Sequence, residues 1–329
     1  MPYRGTGVTA GVIVDAAGAQ MGGAARYLDE LREYLHRSGR QDVKVIGSRH
    51  RLGPAWLLRR ELAGQVARGR RVALNNVGFF APGSQRWTLL RNALHFLAEG
   101  EEAALDPPLL ASIRRDAAAV RFAARRSDVL IAPSSAMAER VARGLPVLRS
   151  RLVVRPHPVS PGSIPPLPRD PAILCPVLFA PYKQMAQRLA ELLAALDEHR
   201  DPTLRLRVTA DKREVPATVA RHPRVDLVGR RDHRELRLLQ ARSRALYFPT
   251  GLESFGYPLA EARVSGQPVI ARDTAQNREI AGRALCGFTP GDARSLGRAL
   301  ERALALEVAP DPAPFDPDAY FGWLLGPPL

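Results

Sequence analysis

The chain has 329 residues, 46% hydrophobic and 25% charged, with 26 glycines and 29 prolines scattered along it. That length favours two domains, the composition excludes a disordered chain, and no apolar run nears the roughly 20 residues that cross a bilayer. The formal charge of +15 raises a nucleic-acid partner, but the basic residues weigh against one: all but Lys44, Lys183 and Lys212 are arginines, dispersed without a basic tail or aromatic ladder.

The opening MPYRGTGVTAGVIVDAAG lacks the charged, apolar and cleavage-site order of a signal peptide, so none is expected. Residues 8–14, 43–46, 72–74, 129–132 and 152–154 read as strands, separated by helical patterns. In the first such pattern Tyr27, Leu28, Leu31, Tyr34 and Leu35 share one face, and Gly39 lies just beyond. Residues 86–97, RWTLLRNALHFL, place His95 in an apolar, helix-like setting. Residues 113–126, IRRDAAAVRFAARR, form a basic helix whose alanine-rich face suits ordinary solvation better than a lipid surface. The proline-rich stretch 156–171 reads as an interdomain linker. A second alternating series follows, with strands expected at 173–179, 204–209, 225–228, 245–248 and 268–271. Its first helix, from about 182 to 197, turns Met185, Leu189, Leu192, Leu193 and Leu196 inward. Cys175 and Cys286 sit in apolar runs, as buried thiols of a cytoplasmic protein would. The tail carries Phe315, Tyr320, Phe321, Trp323 and Leu324, too apolar for a free end. Strands alternating with helices predict an α/β protein with parallel sheets, whose ligands bind at the carboxyl ends of the strands.

The densest chemistry lies in TGLESFGYPLAEARVSGQPVIA, residues 250–271. The strand ending at Phe248 runs into a loop with Glu253, Ser254, Phe255, Gly256 and Tyr257, and Pro258 suits a first helical turn. Gly256 therefore stands where amides gather at a helix N-terminus, a place that favours a diphosphate. Glu253 and Glu261 flank it as acceptor-only carboxylates, suited to hydroxyls on either side of that diphosphate. Taken alone, two glutamates at this spacing are more often a loop charge and a solvated helix residue.

Here the spacing comes with a full set of neighbours: Glu253, Phe255, Gly256, Pro258, Glu261, Ala262, Gly266, Pro268 and Val269. The pattern resembles the donor-binding signature of glycosyltransferase family 4, retaining enzymes of the GT-B fold. The resemblance implies two doubly wound Rossmann-like domains facing a central cleft. Residues 1–158 would be the acceptor-side domain and 172–310 the donor domain, with the tail 311–329 packed back on the first. Residues 225–249 are similar to the segment leading into the motif, placing Gly229 beside the base pocket. Residues 19–31 resemble the glycine-rich loop and first helix, with Gly22, Gly23 and Arg26 facing the diphosphate. One position departs: CPVLFAPYKQ keeps the family's lysine as Lys183 but has Leu178 where an arginine is expected. Arg230 or Arg231 is the candidate substitute.

The activity implied is glycosyl transfer with retention, from a nucleoside-diphosphate sugar to a hydroxylated small-molecule acceptor, with natural-product assembly as one setting. Glu253 would hold sugar hydroxyls, Glu261 the ribose and Lys183 the phosphates. The histidines are dispersed, without metal-ligand spacing, and Asp316 and Asp318 fall in a turn-like tail, so neither metal nor cofactor is expected. On the acceptor side, His95 would polarise a hydroxyl or be structural. Asn75, Asn76 and Asn92 are ligand contacts or satisfied core amides, on even terms. Two rival functions stay open: transfer to a lipid-linked or surface polysaccharide, and noncatalytic binding of a nucleotide sugar or nucleic acid.

Overall fold

The computed structural model describes residues 11–64, 69–82, 85–162, 167–176 and 181–327. The chain forms two compact units, one of Met1–Pro158 with Asp316–Leu329 and the other of Val159–Phe315. The backbone N–H of Val159 donates to the carbonyl of Phe315 at 2.9 Å, so the chain enters and leaves the second unit at adjacent points.

Unit 1 comprises β1 (Val12–Asp15), α1 (Gly22–Ser38), β2 (Val43–Ile46), α2 (Pro54–Gly64), β3 (Arg70–Ala73), β4 (Gln85–Leu89), α3 (Pro107–Ala124), β5 (Val129–Ala132), α4 (Ser135–Gly144) and β6 (Leu152–Val154). Its six strands are parallel, in the order β2-β1-β3-β4-β5-β6. All of β1 is buried, as expected of a central parallel strand. α1 buries Tyr27, Leu28, Leu31 and Tyr34 and stops at Gly39, whose left-handed φ of 64° suits a residue without a Cβ. α3 buries Ile113, Ala117, Val120, Ala123 and Ala124.

The first half of residues 86–97 is not helical. Gln85–Leu89 is a strand inserted between β3 and β5, and His95 follows on the short 3-10 turn Ala93–Phe96. Tertiary contacts hold this strand: Trp87 lies under the Arg70 guanidinium at 4.0 Å, and the Thr88 and Ser127 hydroxyls meet at 2.8 Å.

Unit 2 comprises β7 (Asp170–Cys175), α5 (Met185–Asp197), β8 (Arg205–Val208), α6 (Ala217–Ala220), β9 (Val225–Leu227), α7 (His233–Ala241), β10 (Ser243–Phe248), α8 (Tyr257–Ser265), β11 (Val269–Arg272), α9 (Ala275–Ala281), β12 (Leu285–Phe288) and α10 (Ala293–Ala305). Its parallel order is β12-β11-β10-β7-β8-β9. β7 takes in the end of the expected linker, and β12 adds a strand that the pattern did not announce. The inward residues of α5 pack with Ile173, Tyr247, Ile270 and Leu300 in one core. Cys175 and Cys286 are buried free thiols.

After unit 2 the chain returns as α11 (Pro317–Leu325), which packs on α1. Phe321 is fully buried between Tyr27 and Tyr34, with ring centroids 5.6 and 5.2 Å away. Trp323 meets Trp87 at 5.0 Å, and Arg70 donates to the carbonyls of Trp323 and Leu324 at 2.7 Å. Asp316 caps this helix by accepting from the Asp318 N–H, and Asp318 pairs with Arg37. The preceding stretch stays with unit 2, where Asp311 bonds Arg263 at 2.8 Å. Among the described residues no helix is long and apolar enough to cross a membrane.

Candidate functional site

Parallel strands send every strand-to-helix loop to the same sheet edge. In unit 2 that edge gathers Lys183 after β7, Gly229 and Arg230 after β9, and Glu253 through Pro258 after β10. Gly256 caps α8 in a left-handed conformation, φ 84°. The conformation requires glycine, and a Cβ there would also crowd Leu259 Cδ1 at 3.0 Å and Phe248 Cε1 at 3.2 Å. Its carbonyl accepts from Leu259 N–H at 3.0 Å. Pro258 has no N–H and the Leu259 amide turns back to Gly256, so what this turn offers an anion is chiefly the positive end of the helix dipole.

Lys183 Nζ donates to Glu253 Oε1 at 2.7 Å, and both side chains are largely but not wholly buried. Glu261 is buried on α8, one turn in. Ser254 is half-buried, while Phe255 packs edge-on against Tyr257 at 5.2 Å and Phe315 at 6.0 Å, anchoring the loop from below. Pro258 occupies the first turn, where its missing N–H costs nothing.

Gly229 adopts φ 71°, its N–H donating to Ala210 O at 3.2 Å. Arg230 is exposed and holds Glu214, and Arg231 holds Glu235 at 3.1 Å. Both arginines thus have carboxylate partners in the ligand-free protein, as Lys183 does. Leu178 lies outside the described residues. Two arginines that the sequence reading passed over stand at the same edge: Arg188, 7% exposed on α5, and Arg272, the last residue of β11. In sequence each looks like an ordinary solvated charge; only their neighbours single them out.

In unit 1 the candidates also follow strand ends. Gly22 and Gly23 open α1 and are exposed, Gly22 with φ 56°. Arg26 pairs with the buried Glu30 at 2.7 Å along the helix. Asn75 donates to Asp15 at 2.8 Å and accepts from Val77 N–H at 3.3 Å, so both ends of its amide are used inside the protein. Asp15 also accepts from Trp56 at 3.0 Å and from the fully buried Arg60 at 2.7 Å, making a closed network beneath the β1–α1 loop. Asn76, at φ 68°, accepts from Arg91 N–H at 2.7 Å. Asn92 caps the 3-10 turn through Leu94 N–H at 3.1 Å and meets His95 Nε2 at 3.2 Å. These contacts favour the structural alternative for the asparagines, Asn75 most clearly.

Burial pushes the His95 imidazole down to about 4, so the ring is neutral near pH 7. A histidine with a depressed folded pKa destabilises the native state as pH falls, because the unfolded chain takes up the proton first. Wild type should therefore lose on the order of 3 kcal/mol from this group between about pH 6.5 and 4. In a His95→Asn variant the pH dependence of the melting temperature should be shallower over that window. An equally steep profile in both proteins would refute the assignment.

Residues 170–305 match the family model described as glycosyl transferases group 1. No curated protein matches the chain. Solved structures similar to it include a sucrose-phosphate synthase from Thermosynechococcus elongatus, 16% identical, with a TM-score of 0.61 over 92% of this chain and 90% of that one. WaaG, a glycosyltransferase involved in lipopolysaccharide biosynthesis, is 15% identical with a TM-score of 0.63, over 90% of each chain. A UDP-forming trehalose-phosphate synthase from Burkholderia xenovorans is 12% identical with a TM-score of 0.61, over 95% of this chain and 97% of that one. At such identities the likeness is one of fold: two Rossmann-like units, each a six-stranded parallel sheet with flanking helices, the GT-B architecture.

Proposed function

We infer that this chain, whose residues 170–305 belong to the glycosyl transferases group 1 family, is a retaining glycosyltransferase that moves a sugar from a nucleoside-diphosphate sugar to a hydroxyl of a small polar acceptor. The observation that carries this inference is the junction at Gly256, where a helix N-terminus, Lys183 and Glu253 meet at one sheet edge. A nucleoside diphosphate leaves with growing negative charge on its phosphates. The α8 dipole and Lys183 would meet that charge, which lowers the barrier without requiring a metal. Glu253, an acceptor-only group already held by Lys183, suits orientation of sugar hydroxyls better than nucleophilic attack. Glu261 would receive the ribose.

A thermal-shift screen of nucleoside diphosphates and their sugars tests this. Ligand at 100 times its Kd should add about 2.7 kcal/mol of stability. Glu261→Ala should weaken the active nucleotide by about tenfold through loss of a charge-assisted hydrogen bond, with kcat retained. If no nucleotide raises the wild-type melting temperature, the proposed activity is wrong.

One observation favours a lipid-linked or surface-polysaccharide acceptor as a second reading. On α2, Leu58 and Leu62 are exposed one turn apart, 73% and 68%, beside Arg59. Binding to anionic vesicles, lost in Leu58→Ser/Leu62→Ser, would support it.

A further inference from the structure

The charges at the carboxyl edge of the unit 2 sheet do not balance. Lys183 is matched by Glu253 at 2.7 Å. Arg188 gives Nη1 to both oxygens of Glu191 at 2.8 and 2.9 Å, and Nη2 to Gln184 Oε1 at 2.9 Å. Arg272 is left over. Among the described residues its guanidinium has neither a hydrogen bond nor an ion pair, and its Nε is closed off from solvent. Burial, with Arg188 nearby, depresses its pKa.

The loop after β10 is shaped around this side chain. A Cβ on Gly251 would fall 2.2 Å from Arg272 Nη1, so a larger residue there would displace the guanidinium from its present position. One position earlier, Thr250 is 5% exposed, and its Oγ1 is shut from solvent without a partner. A partly buried cation without a hydrogen-bond partner is costly, and so is an orphaned buried hydroxyl. An anion at this end of the loop would compensate the cation, and the Thr250 hydroxyl, one position before Gly251, is the neighbouring donor without a partner. Gly251 and Thr250 precede Glu253 on the loop that joins β10 to α8.

We propose that Arg272 and Thr250 form a seat for a phosphate of the donor's diphosphate, with Arg272 as a second phosphate-binding cation in addition to Lys183. This rests on the donor assignment above. Arg188 serves it indirectly: it holds Glu191 and Gln184, and so fixes the residue next to Lys183.

Calorimetric titration with UDP, GDP, ADP, the parent nucleosides and inorganic pyrophosphate, on wild type, Arg272→Gln and Thr250→Val, tests the seat. Arg272→Gln should weaken the active diphosphate and pyrophosphate by about 10- to 100-fold and leave nucleoside binding unchanged. Its ligand-free melting temperature should equal or exceed that of wild type, because the costly charge is gone. Thr250→Val should weaken the same ligands by several-fold, roughly one neutral hydrogen bond. Gly251→Ala, which crowds the guanidinium without removing it, should follow Arg272→Gln. If wild type binds a diphosphate and Arg272→Gln binds it equally well, this inference alone is overturned. A fall in ligand-free stability with affinity unchanged would mark Arg272 as structural and overturn it too. If wild type ignores every nucleotide and pyrophosphate alike, both the seat and the donor assignment fall; pyrophosphate binding that depends on Arg272, without nucleotide binding, would sink the donor assignment and leave an anion seat.

Discussion

Replacing Glu253 with alanine is expected to lower kcat by about 100- to 1,000-fold, the range seen when one preorganised electrostatic contact to a transition state is removed. Donor affinity should hold or improve. The reason lies in the 2.7 Å contact between Lys183 and Glu253. In the ligand-free protein the carboxylate occupies the ammonium; without it, Lys183 is left wholly to the donor's phosphates. The pair is partly exposed, so solvent screening keeps its direct contribution to stability small. The variant should therefore fold normally and separate binding from turnover. Steady-state kinetics alongside nucleotide titration measures both. A raised KM with kcat unchanged would mean that Glu253 only helps the ground state, and its assigned role would fail.

The second large effect is on stability. Phe321→Ala should cost about 3–5 kcal/mol, since the ring is fully enclosed by Tyr27, Tyr34 and Tyr320 and its removal leaves a cavity at the seam between α1 and α11. For a unit of this size that is roughly a 10 °C fall in melting temperature. The loss should appear in the calorimetric transition of unit 1, because α11 packs there, while the transition of unit 2 stays in place. Proteolysis should likewise open the α1–α11 seam first. An unmoved unit 1 transition would show that the returning helix is a passenger rather than part of that core.

What could be read from the sequence, and what could not, divides along physical lines. The β10–α8 junction was legible because its signals are local: an apolar strand, a glycine at a positive φ, a proline in the first turn and a closing Gly266 each act within a few residues. The inward face of α5 was legible from its period. The aromatic tail announced that it must be covered, though not by what. β4 was illegible because Arg86 and Thr88 interrupt its apolar pattern, and its stability comes from Arg70, Ser127 and Trp323, all distant in sequence. Asn75 could be read equally as a ligand contact or a core amide for the same reason: its partner Asp15 lies 60 positions away. Arg230 and Arg231 drew notice by closeness to Gly229, yet Arg231 had a carboxylate one helical turn away and Arg230 one 16 residues back, across α6 and β9. Arg272 drew none, since an unpaired charge becomes visible only when every neighbour is in place.

The most direct measurement is a crystal structure of the protein soaked with the nucleoside diphosphate that stabilises it best. The phosphates should sit at the first turn of α8, within hydrogen-bond reach of Lys183, with the ribose against Glu261. Density for the nucleotide elsewhere, or none at saturating concentration while that pocket is open, would contradict the assignment of this chain as a nucleotide-sugar-dependent transferase.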